Sequence, residues 1–70
     1  MAESVYKMIE LVGTSTESWE AAARAAVERA SSTLRDLRIA EVEKLDMTVD
    51  GNKVALYRAR VKISFKYEEG

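Results

Sequence analysis

The chain contains no cysteine, no histidine and no proline, and among its 70 residues there are only three glycines, one tryptophan, three tyrosines and one phenylalanine. Without cysteine, no disulfide can staple the fold, and without cysteine or histidine a structural zinc site lacks its usual ligands. The same absences exclude a cysteine nucleophile and a serine triad, and neither common spacing of a Gly-rich phosphate loop occurs. An enzyme is therefore not expected. No stretch approaches the roughly 20 apolar residues needed to cross a membrane, and Met1 to Tyr6 has neither the basic start nor the apolar run of a secretory signal. A cytoplasmic location is expected by exclusion. Eleven basic residues against twelve acidic ones leave a formal net charge of −1, so no long-range field draws the chain to nucleic acid or an anionic bilayer.

What is present is a large apolar fraction on a very short chain. A domain of this size buries only about 60% of the surface its unfolded state exposes, which leaves little net stability for a lone subunit. Hydrophobic residues make up 47% of the sequence, too much and too well patterned for disorder. With disulfides and zinc excluded, the missing burial has to come from association between copies of a single domain spanning residues 1–70.

Val5 to Val12 is rich in β-branched and aromatic types and is apolar on both alternating sets, with Val5, Ile9 and Leu11 on one and Tyr6, Met8 and Val12 on the other. Such a strand needs cover on two faces, and one helix can supply only one. Gly13 is expected to break the strand, with Thr14 and Glu17 at capping-box spacing and Ser15 as a competing cap. A helix is then expected from Ser18 to about Leu37. Its apolar stripe is Trp19, Ala22, Ala23, Ala26, Val27, Ala30, Leu34 and Leu37, in which alanines permit close packing and Trp19 is the one bulky anchor. Two strands follow, Ile39 to Val49 and Lys53 to Tyr67, joined at Asp50-Gly51-Asn52, residue types suited to the positive φ angles of a tight hairpin. The last strand alternates cleanly, with Ala59, Val61 and Ile63 on one side and Arg58, Arg60 and Lys62 on the other. In the strand before it the apolar parity changes between Val42 and Leu45, which predicts a β-bulge near Glu43-Lys44. The fold class is α+β: β-α-β-β, a three-stranded antiparallel sheet wrapped on one helix.

Polar residues offer few sites. Glu41 and Glu43 lie on one side of a strand and could share acid-base work, but twelve carboxylates in one chain produce such spacings by chance. Arg58, Arg60, Lys62 and Lys66 form a basic row on one sheet face, suited to salt bridges with a neighbouring subunit or to a ligand phosphate. Asp46, Asp50 and Asn52, with Glu43 nearby, are the densest set of hard oxygen ligands, though without the EF-hand spacing.

Taken together, Val5-Tyr6-Lys7, Glu10-Leu11-Val12-Gly13-Thr14-Ser15, the Ala-rich helix ending Thr33-Leu34, Ala40-Glu41-Val42 and the closing Phe65-Lys66-Tyr67-Glu68 resemble the dodecin family over essentially the whole chain. The resemblance implies twelve subunits closing into a hollow particle that binds and stores small ligands without turning them over. It also implies a flavin site at subunit contacts, built on a tryptophan and a glutamine. The corresponding positions here are Ile39 and Arg58, and Asp46 stands where many bacterial members have arginine. Stacking contributes roughly 0.5–1.5 kcal/mol beyond area burial, and the lost amide removes a donor and an acceptor, so weakened binding of FMN or riboflavin is expected.

The Ser18-Trp19-Glu20 helix start and the Asp46-Met47-Thr48-Val49-Asp50 strand resemble the calcium dodecin subgroup. If calcium binds, candidate ligands are Glu17, Glu20, Glu43, Asp46 and Asp50 drawn from neighbouring subunits, because no single chain offers six to eight oxygens in one place. Candidate cofactor-binding positions are Ile39, Arg58, Lys66 and Asp46. Three readings stand side by side: a homododecameric shell with an altered flavin site that takes a cation or another small ligand; a working flavin store in which Arg58 and Lys66 grip the FMN phosphate; and a purely structural oligomer.

Overall fold

The computed structural model describes residues 3–67; Glu68, the end of the closing motif, lies outside the described residues. The elements run β1 (Tyr6–Ser15), α1 (Trp19–Ser31), β2 (Leu37–Asp50) and β3 (Lys53–Lys66). The sheet order is β1-β3-β2 with both pairings antiparallel, so the last strand is the middle one. This is the β-α-β-β fold that the sequence pattern predicts.

Alternation along β3 sorts the sheet into two faces. Ala59, Val61 and Ile63 are buried against α1, opposite Gly13, Leu11 and Ile9 of β1. Ala22, Ala26 and Ala30 are the buried helix residues, at four-residue steps along the expected stripe. These six side chains form the buried hydrophobic core among the described residues, and the largest that are fully buried are only Ile63 and Val61. The helix packs chiefly on β1 and β3 and barely touches β2. Val42, Leu45 and Met47, on the helix side of β2, therefore remain exposed. The radius of gyration, 14.6 Å, exceeds the roughly 11 Å of a compact chain of this length.

The hairpin is the element read most accurately. Gly51 and Asn52 have φ of 59° and 63°, the two positive values of a type I′ turn, whose twist matches that of the flanking strands. The bulge also falls where the parity change puts it: the register shifts between Val42 and Lys44, so Glu43 and Lys44 oppose a single step of β3. Two further shifts, at Leu37/Ile39 and Thr48/Val49, leave no such mark in the sequence.

The helix boundaries differ from the expectation at both ends. Gly13 does not break β1, and Thr14 and Ser15 are strand residues, so the Thr14/Glu17 capping box does not form. Ser18 is the N-cap, its hydroxyl accepting from the Ala21 amide at 3.0 Å, while Ser15 Oγ accepts from the Glu17 amide at 2.9 Å and shapes the turn before it. The alternation continues through Gly13 because the strand conformation suits it; the glycine is needed for space. A Cβ there would fall on the Ala22 carbonyl oxygen and lie 3.1 Å from Ala26 Cβ.

At the other end α1 stops at Ser31, well short of Leu37. The hydroxyls of Ser31 and Ser32 donate to the Glu28 and Arg29 carbonyls at 2.8 and 2.7 Å, in competition with a further backbone turn. Asp36, at φ 58°, then reverses the chain, a conformation that aspartate tolerates better than most residues. Leu34 and Leu37 still pack on the core, but from the connection and from β2 respectively.

The Gly13 contact generates a prediction. Gly13→Ala forces the helix off the sheet at a backbone atom, and overpacking of this kind costs about 1–3 kcal/mol. A clear fall in melting temperature is expected by circular dichroism, and an unchanged value would mean that the helix does not lie this close.

Candidate functional site

The four candidate cofactor positions share the outer sheet face, the one turned away from α1, but do not form one site within a chain. Ile39 is 67% exposed and pairs in register with Ser64, and Lys66 lies two residues further along β3. Arg58 and Asp46 lie opposite one another near the hairpin, six residues of β3 away from Ser64, about 20 Å at the rise of a strand. Ile39 and Arg58 can meet at a common ligand only across a contact between subunits.

Arg58 and Asp46 make a two-pronged ion pair, Nε to Oδ1 at 2.7 Å and the second terminal nitrogen to Oδ2 at 2.9 Å. The planar guanidinium matches both carboxylate oxygens at once, the geometry that makes such pairs strong. Hydrogen bonding from Arg58 holds the Asp46 carboxyl below its ordinary range, assisted by the charges of Arg58, Arg60 and Lys44, and Asp46 in turn raises Arg58. Where the resemblance expects a neutral amide, the face thus carries a cation already satisfied within its own chain.

Asp46 is engaged on its other side too. Trp19 Nε1 donates to its carbonyl oxygen at 3.0 Å, and the indole meets the Tyr57 ring edge-on, with centroids 5.2 Å apart and planes at 73°. This fixes the start of α1 to β2, where the helix otherwise makes little contact, and gives the anchor role of Trp19 a specific partner. Beside it a groove of about 360 Å³ is lined by Trp19, Glu20, Ala23, Val42 and Leu45.

The candidate metal ligands are dispersed within one chain. Glu17 precedes the helix, Glu20 edges the groove, Asp50 faces Lys53 at the hairpin, and Glu43 binds Lys62 at 3.1 Å. Among the described residues no three carboxylates gather as a metal site, so Glu43, Asp46 and Asp50 do not form one within a single chain. The hydrogen bond from Lys62 lowers the Glu43 carboxyl, helped by one with Glu10, and Glu43 raises Lys62. Glu41 faces the same lysine from β2 and Glu10 faces it from β1, so the Glu41/Glu43 pair is neutralised in part by Lys62.

A second hollow, of about 400 Å³, lies at the far end of the sheet between Lys7, Arg35, Asp36, Phe65, Lys66 and Tyr67. Of these only Lys66 stands out in the sequence, because the hollow depends on the chain reversal at Asp36. The link from Trp19 to Asp46 is equally invisible there, since it joins residues 27 positions apart.

The Asp46 shift fixes a pH dependence. A carboxyl whose pKa is lower folded than unfolded contributes stability that is present above the unfolded value and lost as the pH falls through the folded one. Wild type is expected to melt above Asp46→Asn at neutral pH, with the difference closing below about pH 4. Parallel melting curves across that range would show that the pair adds nothing.

The sequence and the fold have known counterparts. Residues 5–68 match the Dodecin family. Calcium dodecin from Mycobacterium tuberculosis is 48% identical over 63 residues, covering 90% of this chain and 89% of that one. Dodecin from Thermus thermophilus is 45% identical over 65 residues, covering 93% and 94%. The structure of dodecin from Streptomyces coelicolor superimposes with a TM-score of 0.93 at 37% identity, over 100% of both chains. Among the described residues no helix is long and apolar enough to cross a membrane. With the match running almost end to end in both sequence and fold, this chain belongs to the dodecin family of non-enzymatic binding proteins.

Proposed function

We propose that the chain forms a homododecameric shell of the dodecin type that binds and stores a small ligand, with its flavin platform reduced and a cation such as calcium as the favoured ligand class. The observation that carries this reading is the Arg58–Asp46 pair, at 2.7 and 2.9 Å. It offers a flavin edge neither a free amide nor a free cation, and an exposed Ile39 replaces the stacking ring. Kinship supports the cation, since the M. tuberculosis relative is a calcium dodecin, described as calcium-chelating with a novel calcium-binding site. Glu17, Glu20, Glu43, Asp46 and Asp50 would supply the oxygens, from more than one subunit at a time.

A second reading has an observation of its own. Lys66 shares its hollow with Lys7 and Arg35, and among the described residues none of the three is in an ion pair. A flavin phosphate could be held there in place of Arg58, and the protein would then remain a flavin store.

The deciding experiment is a fluorescence titration with FMN and riboflavin, paired with calcium calorimetry, on protein whose mass is checked by light scattering. A particle of twelve chains with calcium heat and no submicromolar flavin quenching is expected. Submicromolar quenching would establish the flavin store instead, and a large particle that binds neither would leave a structural oligomer. In the same titration Ile39→Trp is expected to raise FMN affinity roughly two- to tenfold, the factor equivalent to the stacking term. An unchanged affinity would mean that the rest of the pocket has gone as well.

A further inference from the structure

The Asp46–Arg58 pair sits on a stretch of β2 that the sheet alone holds loosely. β2 is at the edge of the sheet, so it is bonded to a neighbour along one side only. Its register against β3 shifts between Val42 and Lys44 and again between Thr48 and Val49, so residues 44–48 are a short run of regular ladder with an irregularity at either end. The helix, which braces β1 and β3, barely touches β2. A two-pronged ion pair is nevertheless demanding, because both oxygens and both nitrogens must stay close to one plane. Constellations of this kind persist when their supports hold them to within about 0.5 Å and 10–20°.

The support comes from the helix side of the sheet. Apart from the pair itself, the side-chain hydrogen bonds on residues 44–48 among the described residues are Trp19 Nε1 to the Asp46 carbonyl oxygen at 3.0 Å and the Thr48 hydroxyl accepting from the Leu56 amide, also at 3.0 Å. Thr48 secures the end nearer the hairpin, and Trp19 reaches the residue that carries the carboxylate. That carbonyl belongs to the planar peptide unit following Asp46, and one soft torsion, ψ, separates the plane from the bond to the Asp46 side chain. The same indole packs edge-on against Tyr57, with ring centroids 5.2 Å apart, and Tyr57 directly precedes Arg58 in β3. One side chain thus touches β2 at the acid of the pair and β3 next to its base, from behind both. Trp19 is itself firmly placed, as the first residue of α1 after the Ser18 cap, whose hydroxyl accepts from the Ala21 amide at 3.0 Å.

We propose that Trp19 is a positioning residue for the Asp46–Arg58 pair and, through the pair, a determinant of which ligands this part of the outer face accepts. With the indole N–H in place the guanidinium stays engaged by Asp46, and an oxyanion finds no free donor there. Without it the carboxylate swings out of plane, Arg58 is released for part of the time, and its donors become available. For the pair's part in ligand choice this rests on the function proposed above; for the position of Trp19 it rests on the geometry alone.

Removing one hydrogen-bond donor and little else tests this. In the full chain, Trp19→Phe keeps a ring against Tyr57 but loses the N–H, and 3-benzothienylalanine in place of Trp19 keeps the whole bicyclic shape with sulfur where the nitrogen stood. The readout is the Arg58 Nε–H signal by NMR, its exchange with water and its response to inorganic phosphate, on protein whose mass and circular dichroism match wild type. A tryptophan that only packs would leave that signal unmoved in the benzothienyl variant. Exchange is expected to quicken severalfold in both variants, towards the rate in Asp46→Asn, and phosphate is expected to shift the signal at severalfold lower concentration than in wild type. Adding Trp19→Phe to Asp46→Asn is expected to change nothing further at Arg58. Wild-type exchange in the benzothienyl variant, or an equal effect of Trp19→Phe with and without Asp46, would overturn the positioning role. An unchanged phosphate response would overturn the role in ligand choice. If wild type and Asp46→Asn exchange alike, the pair itself is not formed, and the proposed function loses the observation that carries it.

Discussion

At Gly13 the helix lies so close to the sheet that a single added Cβ would fall on the Ala22 carbonyl oxygen, and most other features of the chain follow from that closeness. Ala22 and Ala26 meet the sheet where Gly13 leaves room for a helix carbonyl. Close backbones mean small side chains, and small side chains mean a thin core in which Val61 and Ile63 are the largest fully buried residues. A buried leucine-sized side chain contributes about 1.5–3 kcal/mol, and an alanine much less, so the stack stabilises the subunit weakly for the backbone it orders. The chain has not compensated by folding more compactly. The helix covers β1 and β3 but barely touches β2, which leaves Val42, Leu45 and Met47 exposed on the helix side, while Met8, Val12 and Ile39 are exposed on the face that no helix covers. Exposed apolar surface on both faces of one sheet is surface that contact with a further chain would cover.

Much of this was legible in the sequence, for reasons that differ between elements. Local chemistry suffices for the hairpin, because Gly51 and Asn52 are among the few residues at ease with positive φ. Period-two alternation suffices for the two faces of β3, and a break in that alternation for the bulge at Glu43-Lys44. The helix ends could not be read in this way. Ser15 and Ser18 are both fit to cap, and the choice of Ser18 depends on how far β1 remains paired with β3, a non-local matter. Gly13 looks like a strand breaker when only conformation is weighed, and becomes a strand residue once the helix overhead is known. At the far end, Leu34 and Leu37 continue the helical spacing for a few residues after the backbone has left the helix, because they pack on the same core from a different direction.

The site was legible to a smaller degree. The candidate positions Ile39, Arg58, Lys66 and Asp46 could be named, but their grouping depends on register and on neighbours. Register brings Asp46 opposite Arg58 and leaves Ile39 about 20 Å away. The hollow of Lys7, Arg35 and Lys66 exists only because the chain turns back at Asp36, and no pattern in the sequence anticipates that.

Asp46 joins a scaffold contact to the charge pattern of the outer face. Its carbonyl holds the Trp19 indole on the helix side, while its carboxylate holds Arg58 on the outer face. The backbone contact does not depend on which side chain occupies position 46, but the ion pair does, so the outer face can change its chemistry while the helix stays fixed. An arginine there would leave two guanidinium groups facing each other across β2 and β3, a cationic place that suits a phosphate. With aspartate the two charges cancel, and a phosphate gains little from a guanidinium whose donors are already engaged. A divalent cation would meet a different balance, since it would compete with Arg58 for exposed carboxylate oxygens. One acidic residue opposite one basic one is thus enough to neutralise this part of the outer face without disturbing the sheet that presents it.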